Sequence, residues 1–218
     1  MGALRTDEGQ TDERTDALVD AAYHLLDETG LEGLTIRAVL ARTGLARRAF
    51  YDRFDSKDEL VLAVFARTLR EAASRFAAET AHIAAAMDRL RVIVCGIVLG
   101  RAGHPAGEHG LGAAHPAPGR RGAALSREHL RLAETRTSDL LRAVEPLVRL
   151  IERELERGMD AGEVRRADPR QLATLVYNLV STTVHAELLA EETDHADSDR
   201  RERLAAEIWE FTRRAIKA

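Results

Sequence analysis

The stretch Thr35-Ile-Arg-Ala-Val-Leu-Ala-Arg-Thr-Gly-Leu-Ala-Arg-Arg-Ala-Phe-Tyr-Asp-Arg-Phe-Asp-Ser-Lys57 decides how the rest of the chain is read. Thr35 is a good N-cap for a short helix, and Ile36 and Val39 supply its buried side. Gly44 permits a sharp turn, after which Leu45, Phe50 and Phe54 anchor a second helix barely two turns long. The spacing predicts a helix-turn-helix with Arg47, Arg48 and Tyr51 on its outer side. In such a motif the N-terminal residues of the second helix enter the major groove of DNA, where arginine bonds guanine O6 and N7 in bidentate fashion.

Charge follows the same segment. The whole chain carries a net charge of −4, which by itself argues against a nucleic-acid partner. Residues 1–60 carry eight Arg/Lys and thirteen Asp/Glu, yet residues 35–57 hold Arg37, Arg42, Arg47, Arg48, Arg53 and Lys57 against only Asp52 and Asp55. Polyanions respond to local field rather than to the total, so this +4 island is the expected footprint. Arg47 and Arg48 are expected to read bases, with Thr35, Tyr51 and Lys57 on the backbone; Arg37, Ala49 and Arg53 complete the DNA-facing set. A cation in the first turn of a helix opposes the dipole, which favours a recruited role for Lys57 on phosphate.

Outside this stretch helix period dominates and strand alternation is absent. Ala17-Leu18, Ala21-Ala22 and Leu25-Leu26 predict a first helix over about residues 13–28, stopped at Gly30. Ser56-Lys57-Asp58-Glu59 is a capping box opening a long helix to about residue 80. The next, about residues 82–100, is apolar all round in its last two turns and is expected to be buried on every side. Residues 100–122 hold seven of the fifteen glycines and three of the five prolines, so a flexible loop or irregular helix is expected there. Helical pattern resumes near Leu125 and runs to Gly158, with Pro146 expected to kink or break it. Asp168-Pro169 caps a helix over about residues 169–190, and a polar link, residues 191–200, leads to a last helix at about 200–216.

The chain resembles the TetR (tetracycline-repressor-like) family of transcriptional regulators. The resemblance rests on Gly30, Thr35-Ile-Arg, Gly44-Leu45 and above all Phe50-Tyr51-x-x-Phe54-x-Ser56-Lys57-x-x-Leu60. It is strong over about residues 14–62 and weak beyond, where only Gly158 to Asp168-Pro169 looks like the stretch before the family's last two helices. Leu40, Ala46, Arg48 and Ala49 depart from the family's usual alanine, serine, small residue and hydroxyl, so no operator sequence carries over. The expected fold is all-α with about nine helices: a helix-turn-helix DNA-binding domain at residues 1–55, then a helical bundle at residues 56–218 for dimerisation and ligand binding. Dimerisation is expected through the last two helices. Leu172, Val176, Leu179 and Thr183 form one stripe with Leu175, Leu188 and Leu189 off it, and Leu204, Ile208, Phe211 and Ala215 form another.

A second domain of this size is expected to sense a small molecule and to release a palindromic DNA operator on binding it. Its inward groups are expected to include Phe65, Leu69, Met87, Val94, Val98, Leu141, Val144 and Tyr177, with Asn178 and His185 as polar anchors. The alternatives are an all-α bundle enzyme and a helical interaction protein without DNA binding. Glu79-x-x-His82 and Glu192-x-x-His195 resemble di-iron spacing but straddle a helix junction and a polar link, and His104, His109 and His115 have no fixed spacing. No nucleophile-base order stands out, so neither catalysis nor a cofactor or metal is expected. The single cysteine, Cys95, excludes an intramolecular disulfide. The longest apolar run, residues 92–99, is too short to span a membrane and the start shows no apolar signal region, which makes a cytoplasmic chain the expectation.

Overall fold

Capping and burial explain most boundaries in the computed structural model, which describes residues 3–100, 120–191 and 198–218. Among these residues there are nine helices and no strand: α1 (Ala3–Gly33), α2 (Ile36–Thr43), α3 (Arg47–Tyr51), α4 (Lys57–Thr80), α5 (Ala86–Val98), α6 (Arg120–Thr135), α7 (Thr137–Asp160), α8 (Pro169–Glu191) and α9 (Ser198–Ile216). Most of the Gly/Pro-rich segment, residues 101–119 with His104, His109 and His115, and the link 192–197 with Glu192 and His195, lie outside the described residues. None of the helices described is long and apolar enough to cross a membrane.

Helix α1 starts at Ala3, about ten residues before its apolar periodicity does. Its path breaks at Gly30, where φ is 68°. Three other ends follow their caps. Thr35 Oγ1 accepts from Ala38 N at 3.1 Å, Ser56 Oγ from Glu59 N at 3.3 Å, and Asp168 Oδ1 from Gln171 N at 2.8 Å. Glu59 reaches back to the N–H of Asp55 at 2.9 Å, one residue earlier than the capping box predicts.

Pro146 does not break its helix. α7 runs through it, and the interruption falls at Arg136, where φ is −143° and ψ is 54°. Leu140, Val144, Leu147, Ile151 and Leu155 form one buried stripe along α7, and that burial outweighs the single backbone hydrogen bond the proline forfeits. At the actual break, Thr135 and Thr137 hydroxyls donate to the carbonyls of Arg131 and Ala133, competing with the helix ladder.

Helix α1 packs on α2, α4 and α6, while α4 and α8 flank α7. Helix α5 lies among α4, α7, α8 and α9. It is not buried on every side: Ile93, Val94 and Gly96 to Val98 are buried, but Val92, Cys95 and Leu99 are only half-buried. The half-open side faces α9, whose Ala205, Trp209 and Arg213 border a groove with Arg91 and Cys95, the Cys95 thiol reaching the Ala205 carbonyl at 3.7 Å. An antiparallel bridge between Val164 and Lys217 ties the chain's end to the turn after α7.

One close approach between helices of the bundle is at Gly96. A Cβ there would sit 2.5 Å from Cε1 of Phe76, itself fully buried on α4. Gly96→Ala should therefore lower unfolding free energy by about 1–3 kcal/mol, although alanine is the better helix former. Urea unfolding checks this, and an unchanged or raised midpoint contradicts the packing described.

Candidate DNA interface and ligand cavity

The helix-turn-helix is built on two buried phenylalanines. Phe50 is fully buried and Phe54 nearly so, their ring centroids 5.7 Å apart. Gly44 holds the turn in the left-handed region (φ 69°), with its N–H donating to the Leu40 carbonyl. Ala46, at the N-cap of α3, makes no side-chain cap. With Phe50 turned inward, helix geometry turns Arg47, Arg48 and Tyr51 outward.

The basic island is unevenly available. Arg42 makes a two-pronged hydrogen bond with Glu28 at 2.7 and 2.8 Å, fastening α2 to the end of α1. That pairing holds the Glu28 carboxyl below its usual range. Lys57, half-buried, donates its Nζ to the Leu31 carbonyl at 3.4 Å, and Arg53 donates to the Ala49 carbonyl at 3.4 Å. Arg37 is exposed, and the Arg48 side chain is 92% exposed with Asp52 3.9 Å away. Arg47 lies over the Tyr51 ring at 5.5 Å and donates to its hydroxyl at 3.3 Å, so the two form one outward unit. Thr35 caps α2 and Ala49 is half-buried behind this face.

The second site is a cavity of about 120 Å³ in the bundle. Phe65, Leu69, Tyr177 and His185 line it, together with Thr68, Ser126, His129 and Ser181. The other candidates lie elsewhere. Val94, Val98 and Val144 are buried in ordinary core, and Met87 sits in the first turn of α5, where its N–H donates to Glu163. Leu141 is 60% exposed and Asn178 is exposed, because inward periodicity holds for most of a helix face but not for its edges. Thr68, Ser126, His129 and Ser181 are the polar lining residues that sequence reasoning missed. The charged surface of α6 hid Ser126 and His129, although Leu125, His129 and Leu132 fall at i, i+4 and i+7.

Two imidazoles dominate the cavity's polarity. The rings of His129 and His185 are 4.2 Å apart between centroids. Nδ1 of His185 shares a hydrogen bond with Ser126 Oγ, while its Nε2 is buried with no hydrogen-bond partner among the described residues. Burial pushes both histidines down to about 4, and for His185 the neighbouring His129 adds to it. Burial likewise raises the Tyr177 hydroxyl. Among the described residues the lining contains no Asp, Glu, Lys or Arg.

Residues 18–64 match the family model described as bacterial regulatory proteins, tetR family. They belong to the tetR family. No curated protein matches the sequence significantly. The described fold is shared with tetR-family regulators of known structure. A TetR-family transcriptional regulator from Pectobacterium atrosepticum is 18% identical with a TM-score of 0.73, covering 96% of this chain and 97% of that one. RolR in complex with resorcinol is 13% identical, with a TM-score of 0.69 and coverage of 96% and 90%. FadR from Bacillus subtilis in complex with stearoyl-CoA is 15% identical, with a TM-score of 0.65 and coverage of 90% and 96%.

The histidine pair generates a pH prediction. Unfolded, both imidazoles take protons below about pH 6.5; folded, they stay neutral down to about 4. Unfolding thus takes up protons in that window, and this contribution lowers stability as pH falls through it. His129→Leu removes one such group. The variant's stability relative to wild type should rise on acidification by up to about 1.4 kcal/mol per pH unit within the window. Urea midpoints at several pH values check this; a difference independent of pH contradicts it.

Proposed function

We propose that the chain is a homodimeric, sequence-specific DNA-binding transcriptional regulator, not an enzyme: a repressor released from a palindromic operator by a small-molecule effector. The observation that carries the reading is the outward presentation of Arg47, Arg48 and Tyr51 by a helix anchored inward through Phe50. On this reading residues 1–55 are the DNA-binding domain and residues 56–218 bind effector and dimerise. Arg47 and Arg48 read base edges, and Thr35, Arg37, Tyr51, Arg53 and Lys57 position the backbone, with Ala49 allowing close approach.

Two observations support the dimer. Leu175 on α8 and Phe211 on α9 are 58% and 65% exposed, well beyond what a monomer's surface needs. The exposed face of α8 continues through Asn178, Thr182 and Ala186 without a charge. The stripe that faces outward is therefore the one through Leu175: Leu172, Val176 and Ile208 are buried in their own bundle. The side chains of Leu188 and Leu189 fall outside those described.

Coupling is supported by α6. It lends Ser126 and His129 to the cavity, and two residues further on Arg131 meets Asp58, in the first turn of α4, at 3.3 Å. The same helix packs along α1. An effector that favours one placement of α6 shifts the DNA-binding domain; one that fits both placements equally shifts nothing.

A mobility shift on a selected DNA pool tests the reading, with no bound sequence as the contradicting result. Arg47→Ala or Arg48→Ala should cost about 1–3 kcal/mol of discrimination at the base it reads. Lys57→Ala should weaken all sequences alike and lower the salt slope by about 1. The assignments fail if Lys57→Ala alters sequence preference and the arginine variants do not. Sedimentation should show a dimer at micromolar concentration, and Phe211→Glu should shift it toward monomer; a wild-type monomer contradicts the dimer.

A further inference from the structure

The two arginines of α3 are held differently, and the difference assigns a second role to Tyr51. Each has a neighbour four residues on, where helix geometry brings side chains together: Tyr51 for Arg47 and Asp52 for Arg48. Arg48 gains little from its neighbour. Their nearest approach is 3.9 Å, and the Arg48 side chain stays 92% exposed. Arg47 is held through an unbroken run of contacts from the core. Phe50 is fully buried, the Tyr51 ring meets it edge-on with centroids 5.3 Å apart, and the Arg47 guanidinium lies 5.5 Å from the centroid of the Tyr51 ring.

The chemistry of the pair suits base reading. An arginine side chain free in solvent spreads over many rotamers, and a base reader must surrender that freedom when it docks. A guanidinium already resting on a fixed ring has surrendered part of it beforehand. Arg47 also keeps the donors it needs. Of its five N–H bonds the contact to the Tyr51 hydroxyl, at 3.3 Å, uses one, and two suffice for guanine O6 and N7. That hydrogen bond is long, so the ring face carries most of the hold. The hydroxyl accepts from Arg47 and keeps its own proton to donate to a phosphate oxygen. Asp52 offers Arg48 no equivalent, because an ionised carboxylate only accepts, and it repels phosphate. We propose that Tyr51 is a positioning residue for sequence reading: its ring sets Arg47 as the guanine reader of α3 while its hydroxyl holds the DNA backbone. This rests on the regulator reading above and adds specificity to the backbone role given there to Tyr51.

Affinities of the full chain for a selected DNA site, and for that site changed at each base pair in turn, test the inference. Arg47→Ala identifies the pair that Arg47 reads, as the one where a wild-type preference of about tenfold or more disappears. Tyr51→Leu keeps an apolar side chain beside Phe50 but has no π face. It should cut the preference at that pair by about threefold or more and leave the preference at every other pair within about twofold. Tyr51→Phe keeps the ring and loses the hydroxyl. It should weaken all sequences alike and keep the preference at that pair within about twofold of wild type. A Tyr51→Leu chain that weakens all sequences alike, with that preference intact, has lost only a phosphate contact and overturns the inference. So do equal losses of preference at every pair, a loss in Tyr51→Phe as large as in Tyr51→Leu, or no pair that depends on Arg47. Should Tyr51→Leu not fold, Tyr51→Gln favours the helix, lacks the ring and reads the same ratio. A wild-type chain that selects no DNA sequence overturns the regulator reading and this inference with it. A selected sequence with any of the contradicting results above overturns the inference alone.

Discussion

The burial of Phe50 is the contact on which the outward face of this protein depends. A helix of five residues has no stability of its own, since nucleation costs more than so few hydrogen bonds return. Its N-cap residue, Ala46, adds nothing. What holds α3 is therefore its packing: Phe50 and Phe54 are buried in the core cluster that residues of α1 and α4 also enter. Burial of one such ring is worth about 1.5–3 kcal/mol, more than capping supplies. With these rings fixed, Arg47 and Arg48 have no inward position open to them. The acidic balance of the chain does not matter to this arrangement, because Asp52 is the one carboxylate brought near Arg48 among the described ion pairs.

That small motif is joined to the bundle by a charged contact as well as by packing, and a second charged contact lies within the bundle. Arg67 on α4 meets Asp20 of α1 at 2.6 Å, and Arg131 on α6 meets Asp58 of α4 at 3.3 Å. Both pairs are partly exposed, so each stabilises little by itself. Their weight is geometric. They set α1, α4 and α6 in register, and α6 is also a wall of the cavity. A cavity bordered by a helix that also packs on α1 is an arrangement a ligand-responsive switch can use.

The helix-turn-helix was legible in the sequence because every decisive residue acts locally. Thr35 caps within three residues, Gly44 turns within one, and Ser56 caps within three. The errors came where tertiary packing decides. Pro146 carries a strong local signal for a break, yet the buried stripe of α7 keeps the helix intact through it. The cavity divides in the same way. Periodicity marks Phe65, Leu69, Tyr177 and His185 as inward, and they line the cavity; it marks Val94 and Val144 equally well, and these fill core. Which inward residue meets empty space depends on how whole helices approach one another, and no single helix encodes that. His129 went unread because its neighbours on α6 are mostly charged, even though it shares a face with Leu125 and Leu132.

The central claim is that residues 35–57 form the surface that meets DNA. Amide hydrogen exchange with and without a selected DNA fragment tests it most directly. The account predicts slowed exchange across α2, α3 and the start of α4, the segment that carries Thr35, Arg47, Arg48, Tyr51 and Lys57. Slowed exchange elsewhere, with residues 35–57 unchanged, would contradict it.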